Sequence, residues 1–188
     1  LLVSFLLTAG ERVLGRNRST EEALIGISML FYPLLLYVML MYLGEFRNHD
    51  LSRVALFSAF AMPLMGDTMA YAFGSAFGKR KLAPAISPNK TVAGSIAGVL
   101  GGVLGGCLVH LVQALWQGAA VPLIPLLLTG FACGISGQIG DLFASAIKRW
   151  ANVKDYGRIF PGHGGVMDRL DSVLFSAPVV LFAFNIMM

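Results

Sequence analysis

Long uncharged runs separated by short polar segments set the pattern of this chain. Ala23 to Gly44 is uncharged over 22 residues, about 33 Å as a helix, enough to cross a hydrocarbon layer of about 30 Å. Val54 to Gly78 is apolar apart from Asp67, with Pro63 and Gly66 as expected kink points. From Thr91 to Gly140, fifty residues pass without an Asp, Glu, Lys or Arg, which leaves room for two crossings. The pattern predicts one helix over Thr91–Trp116, a turn over Gln117–Pro122 and a second helix over Leu123–Ile147. Ser172–Met188 is the last span, and Leu1–Ala9 reads as the tail of an earlier one. Polar segments lie at Glu11–Glu22, Glu45–Arg53, Lys79–Lys90 and Lys148–Asp171. The predicted fold class is all-α, a polytopic transmembrane helix bundle of about five full spans plus an N-terminal fragment. No boundary divides residues 1–188 into separate domains.

Composition agrees. The chain is 56% hydrophobic and 13% charged, and its mean hydropathy is +0.74. Soluble domains carry about 25% charged residues, so a soluble globular fold is excluded, as are disorder, collagen and a disulfide scaffold. Cys107 and Cys133 lie in apolar stretches without a C-x-x-C pairing and read as small core residues. The chain opens at Leu1 with no charged n-region or cleavage site, so further membrane segments are expected upstream.

The net charge of +4 reads as basic loops rather than nucleic-acid binding. Alternating crossings put Glu11–Glu22, Lys79–Lys90 and Lys148–Asp171 on one side. Those segments hold Arg12, Arg16, Arg18, Lys79, Arg80, Lys81, Lys90, Lys148, Arg149, Lys154, Arg158 and Arg169, against Arg47 and Arg53 on the other. The basic side is expected to face the cytosol, with the protein integral to the cytoplasmic (inner) membrane.

Gly94, Gly98, Gly102 and Gly106 recur every four residues, with Gly101 and Gly105 beside them. On a helix this is a smooth stripe for close backbone approach. A phosphate-cradling loop is the alternative, but no G-K-[ST] follows and no strand pattern precedes.

Candidate chemistry gathers at the acids. Asp67 and Asp141 lie inside apolar spans, where a carboxylate costs roughly 2.5–3.5 kcal/mol at a helix centre. Intramembrane acids are functional candidates; the bland alternative is an interfacial acid paired with a Lys, and Asp141 lies two turns from Lys148. Gln138, Asp141, Ser145 and Lys148 form one polar stripe at helical spacing, and Asp67, Tyr71 and Ser75 another. The two could face each other across a wet pocket. In Pro161-Gly162-His163-Gly164-Gly165 the glycines let backbone approach a ligand, and His163 has either a catalytic or phosphate-contacting role or a structural one. Asp168 and Asp171 follow where a helix should begin. Asp171 could be a plain N-cap, and Asp168 with Arg169 a surface ion pair. Hard oxygen donors without Cys or His clusters suggest Mg²⁺ rather than zinc. Lys79, Arg80, Lys81 and Lys90 form an acid-free basic loop, which reads as an anchor on anionic lipid heads, a polyphosphate clamp, or both.

These residues resemble a known family. Ser145-Ala146-Ile147-Lys148-Arg149, then Lys154-Asp155, then Pro161 through Asp171 are similar to the long signature of the phosphatidate cytidylyltransferases (CDP-diacylglycerol synthases). Gly66-Asp67-Thr68 through Tyr71, Phe77-Gly78-Lys79, Lys81-Leu82-Ala83-Pro84 and Ser87-Pro88-Asn89-Lys90-Thr91 resemble its second block. The resemblance runs from about Asp67 to Ser172. Met69 stands where a small residue is common, and Val92 where a Trp is common; both are packing positions. The resemblance implies a single integral-membrane catalytic domain, further N-terminal helices, and the reaction CTP + phosphatidic acid → CDP-diacylglycerol + pyrophosphate. By the same resemblance Asp141 and Asp168 bind Mg²⁺, with Asp67 as a further ligand or cavity acid and room for a second cation. Asp67, Asp141, Asp168 and His163 form the catalytic set. Ser87, Asn89, Lys90, Thr91, Lys148, Arg149, Lys154, Arg169 and Asp171 are the substrate-binding set. The implied partners are CTP, phosphatidic acid and the bilayer, with a second copy of the chain as a candidate and no nucleic acid.

Two rivals stay open. One is a related CTP-dependent nucleotidyltransferase acting on another lipid phosphate. The other is a cation transporter with Asp67 and Asp141 along its pathway. A CDP-alcohol phosphotransferase is disfavoured, because its Asp-Gly-x-x-Ala-Arg motif is absent.

Overall fold

The fold is taken from a computed structural model, which describes residues 20–115, 121–157 and 165–187. The expected fragment Leu1–Ala9, residues 117–120 of the expected turn at Gln117–Pro122, and His163 lie outside the described residues. Five long helices are described: α1 (Thr20–Tyr42), α2 (His49–Phe77), α3 (Val92–Leu115), α4 (Leu123–Trp150) and α5 (Met167–Met187). The last four are each long and apolar enough to cross a membrane. The chain is an all-α polytopic membrane bundle, as the hydropathy pattern predicts.

The helices begin and end where polar chemistry stops them. The Asn48 side chain caps α2 by accepting from the Asp50 and Leu51 N–H groups at 2.9 and 3.4 Å. The Thr91 hydroxyl oxygen accepts from the Gly94 N–H at 3.1 Å and caps α3. α4 ends in a Schellman turn: Val153 N–H reaches the Lys148 carbonyl at 2.9 Å, Asn152 N–H reaches Arg149 at 3.1 Å, and Asn152 takes φ 54°. This turn reverses the chain at the bundle end.

The basic segment expected as a loop is partly a hairpin. β1 (Lys81–Ala83) pairs antiparallel with β2 (Ser87–Thr91), and Val92 N–H closes on the Arg80 carbonyl at 2.9 Å. α5 also starts at Met167, before the predicted Ser172. Asp171 is therefore buried within the first turns of a helix rather than capping its N-terminus.

α2 packs on α3, α3 on α4 and α4 on α5, while α1 lies against α5. The apolar core, including Val54, Met62, Val109, Leu126, Cys133, Leu174 and Phe184, fills the first halves of α2 and α4 and the later parts of α3 and α5. The opposite end is left to the polar stripes. Large apolar residues such as Leu100, Leu111, Ile124, Leu128 and Phe182 face outward, as a lipid-facing surface requires.

The glycine stripe is a two-sided contact. A Cβ on Gly101 or Gly105 would come within 2.7 Å of α2 backbone at Met65 and Met62. On Gly102 or Gly106 it would come within 2.3 and 2.5 Å of α4 carbonyls at Gly130 and Leu126. Two helices thus seat against α3 at backbone distance, the close approach that small residues permit. Gly102→Leu should destabilise the protein in detergent by at least about 3 kcal/mol, the upper part of the overpacking range, since rigid backbone must move. Gly44→Ala, whose Cβ would meet only Leu56 Cδ1 at 3.7 Å, should change little. Equal melting temperatures for the two variants would remove this account of α3.

Candidate active site

One cavity of about 740 Å³ opens where the polar stripes meet. It is walled by the C-terminal part of α2 (Asp67, Tyr71, Gly74, Ser75), the hairpin (Lys81, Leu82, Asn89, Lys90, Thr91), Ser95 of α3, and Gln138, Asp141 and Lys148 of α4. Asp155 and the start of α5 (Asp168, Arg169, Asp171, Ser172) complete it. All these segments belong to the same end of the bundle, the end that carries the predicted basic loops. The stripes on α2 and α4 do line one space, with α3 between them. Ser95 and Gln138 join α3 to α4: the Ser95 hydroxyl donates to the Gln138 side-chain oxygen, and Gln138 Nε2 donates to the carbonyls of Ser95 at 3.0 Å and Gly134 at 2.8 Å.

Two ion pairs of different character sit in the walls. Lys90 of β2 pairs with Asp141 of α4, the side chains 24% and 29% exposed, and Ser145 Oγ donates to Asp141 Oδ1 at 3.4 Å. The Lys beside Asp141 is thus the hairpin's Lys90, not the Lys148 suggested by helical spacing. Lys148 pairs instead with Asp168, Nζ to Oδ1 at 2.7 Å, with exposures of 11% and 8%. Asp168 Oδ2 accepts from the backbone N–H groups of Tyr156 and Gly165, each at 2.9 Å. Three donors of the protein thus meet Asp168, and its salt bridge is with Lys148. Tyr156 lies beside this pair; burial first, then the negative charges of Asp168 and Asp171, push its phenol up to about 12, so the hydroxyl stays protonated. It donates to the Ala144 carbonyl at 3.2 Å.

Asp67, Asp141 and Asp171 line the same cavity close enough to feel one another's charge. Among the described residues no three of His, Cys, Asp and Glu form a closed metal cage. An open set of carboxylates still suits Mg²⁺, which takes one or two from protein and completes its octahedron with water and substrate phosphates. The acids that could hold it are Asp141, Asp67, Asp171 and Asp168, whose Oδ1 also carries the Lys148 ion pair.

The other expected residues divide. Asn89, Thr91 and Arg169 line the cavity. Arg149 is exposed and donates Nε–H to the Ile86 carbonyl at 3.3 Å, tying the hairpin to the end of α4. Lys154 is exposed, and Ser87 is half-buried on β2. Ser95 and Tyr156 were not singled out from the sequence, although each adjoins a quoted motif: Ser95 is one turn beyond Thr91, and Tyr156 follows Lys154-Asp155.

A cavity walled by lysines and carboxylates at one end of an apolar bundle suits a phosphate-bearing ligand. The model of the Cytidylyltransferase family matches residues 1–187. The chain belongs to the cytidylyltransferase family. Relatives agree in character. A phosphatidate cytidylyltransferase of Bacillus subtilis is 38% identical over 184 residues, covering 96% of this chain and 65% of the relative. Those of Staphylococcus saprophyticus and Staphylococcus aureus (strain COL) are 40% and 35% identical, each over 96% of this chain and 66% of the relative. The chain thus spans just under two thirds of the length of these curated relatives. The matched region holds every wall of the cavity described above.

Proposed function

We propose that this chain carries the machinery to transfer a cytidylyl group from CTP to phosphatidic acid, giving CDP-diacylglycerol and pyrophosphate. The observation that supports it most is the cavity itself: Lys90, Lys148 and Arg169 share its walls with Asp67, Asp141, Asp155, Asp168 and Asp171 at one end of a membrane bundle. A polar nucleotide and a lipid headgroup can meet only at such a boundary. The lipid phosphate is already an anionic nucleophile, so the reaction needs little from a general base. An oxygen of that phosphate forms a bond to the α-phosphorus of CTP, the bond from that phosphorus to the oxygen bridging the α- and β-phosphates breaks, and pyrophosphate leaves with that oxygen.

Positioning and charge neutralisation then carry the rate. Lys90 and Lys148 are held by Asp141 and Asp168 rather than free to wander. Each ammonium has three donors, so N–H groups remain for phosphate oxygens after the carboxylate is satisfied. Asp141, with Asp67 and Asp171 beside it, would hold Mg²⁺. When bound, that ion would offset phosphate charge and polarise the α-phosphate.

The test is direct. Purified protein with Mg²⁺, labelled CTP and phosphatidic acid should give a lipid-extractable nucleotide. Product formed only with a different lipid phosphate would move the reading to a related nucleotidyltransferase. CTP-independent cation flux into liposomes, with no product, would favour the transporter.

The charge split adds a prediction about sidedness. In a Cys-free background, single Cys probes replacing Arg80 and Lys154 should be labelled only from the cytoplasmic side, and one replacing Asn48 only from the other. Labelling of positions 80 and 154 from opposite faces would break the shared-cavity reading.

A further inference from the structure

We infer that Tyr156 is a positioning residue that aims the Lys148 ammonium at the phosphate subsite, gripping the Lys148–Asp168 pair at both of its charges. The Lys148 Nζ lies 5.3 Å from the Tyr156 ring centroid, within the range of a cation–π contact. The backbone N–H of the same residue donates to Asp168 Oδ2 at 2.9 Å. Its hydroxyl donates to the Ala144 carbonyl at 3.2 Å, one turn before Lys148 on the same helix. One side chain and its own backbone thus touch the cation, the anion and the helix that carries the cation.

The local fold sets this up. The Schellman turn at Asn152 ends α4 and binds the Lys148 carbonyl. It sends the chain back along the last turns of α4, which brings residue 156 over residues 144 and 148. The consequence lies in the geometry of an ammonium with three N–H donors. One is spent on Asp168 and one side is covered by the ring. What is left faces the cavity, which Lys148 helps to line. Without the ring, the ammonium could rotate about Asp168 and turn its free donor elsewhere. This rests on the reading of the cavity as a phosphate site.

The test uses full-length protein with phenylalanine, then mono-, di- and trifluorophenylalanine, at position 156. Fluorination withdraws charge from the ring face and hardly changes its size, so the fold is kept; melting temperature checks this. Two quantities are read: KM for CTP in turnover, and Kd for pyrophosphate in the presence of Mg²⁺. Both should rise stepwise along the series, by roughly two- to thirtyfold overall, with kcat changing less. In a Lys148→Met background the series should be flat. A flat series in the parent protein, or an equal slope after Lys148→Met, would overturn the assignment and leave Tyr156 a packing residue. If the unmodified protein binds pyrophosphate but turns over no CTP, the transfer reading fails and the pyrophosphate series alone decides this inference. If it binds no pyrophosphate, both fall.

Discussion

Asp141→Asn should lower turnover by roughly 10²–10³-fold, the loss found when one preorganised electrostatic group is removed from a site, while the protein melts at nearly its original temperature. The two halves of this expectation have separate causes. Asp141 faces the cavity, is oriented by Lys90 and Ser145, and shares the space with Asp67 and Asp171. In the proposed reaction it is the acid best placed to hold Mg²⁺. Asn keeps the shape and one acceptor oxygen but loses the charge that a hard cation requires. Stability is another matter. The Lys90–Asp141 pair is a quarter exposed on both sides, and pairs so near water contribute at most about 1 kcal/mol. Activity measured against Mg²⁺ concentration, with melting in parallel, reads both. Near-normal turnover of Asp141→Asn at the same Mg²⁺ concentration would remove Asp141 from the site.

The membrane bundle is legible in the sequence because a bilayer imposes a length, and uncharged runs near twenty residues meet it. Hydropathy reports where a helix is apolar, not where it begins. α2 starts at His49 and α5 at Met167 because their first turns are polar and lie beyond the apolar run. Those same turns place Asp168 and Asp171 on a helix rather than in a loop. The hairpin escaped for a different reason: three- and five-residue strands flanked or interrupted by Pro84 and Pro88 show no alternation. The acid stripes were legible because residues three or four apart share a helix face. Which lysine meets which acid was not. Helical spacing offered Lys148 to Asp141, and sequence adjacency offered Arg169 to Asp168. The structure pairs Asp141 with a β2 lysine and Asp168 with Lys148 across a chain reversal, and such pairings are set by tertiary packing alone.

Asp168→Asn should differ from Asp141→Asn by damaging stability along with turnover. Both oxygens of Asp168 are engaged by donors: Lys148 on one, and the Tyr156 and Gly165 N–H groups on the other. An amide has one acceptor oxygen and one NH₂ donor. In either orientation the NH₂ faces a donor, either the ammonium or two backbone N–H groups. With side chains only 11% and 8% exposed, water cannot make good the loss. Removing one partner of a buried pair costs about 3–5 kcal/mol, so a large fall in melting temperature is expected. Turnover should fall too, because Lys148 loses the group that holds it. Asp155→Asn, at an exposed position on the cavity rim, should be mild in both respects. The double variant Lys148→Met with Asp168→Leu separates the roles, since it removes the unpaired ammonium along with its partner, although the Tyr156 and Gly165 N–H groups lose their acceptor. It should recover part of the stability and none of the turnover. Recovery of turnover as well would mean that the pair only holds the fold, and that Lys90, with the acids Asp67, Asp141 and Asp171, carries the chemistry without it.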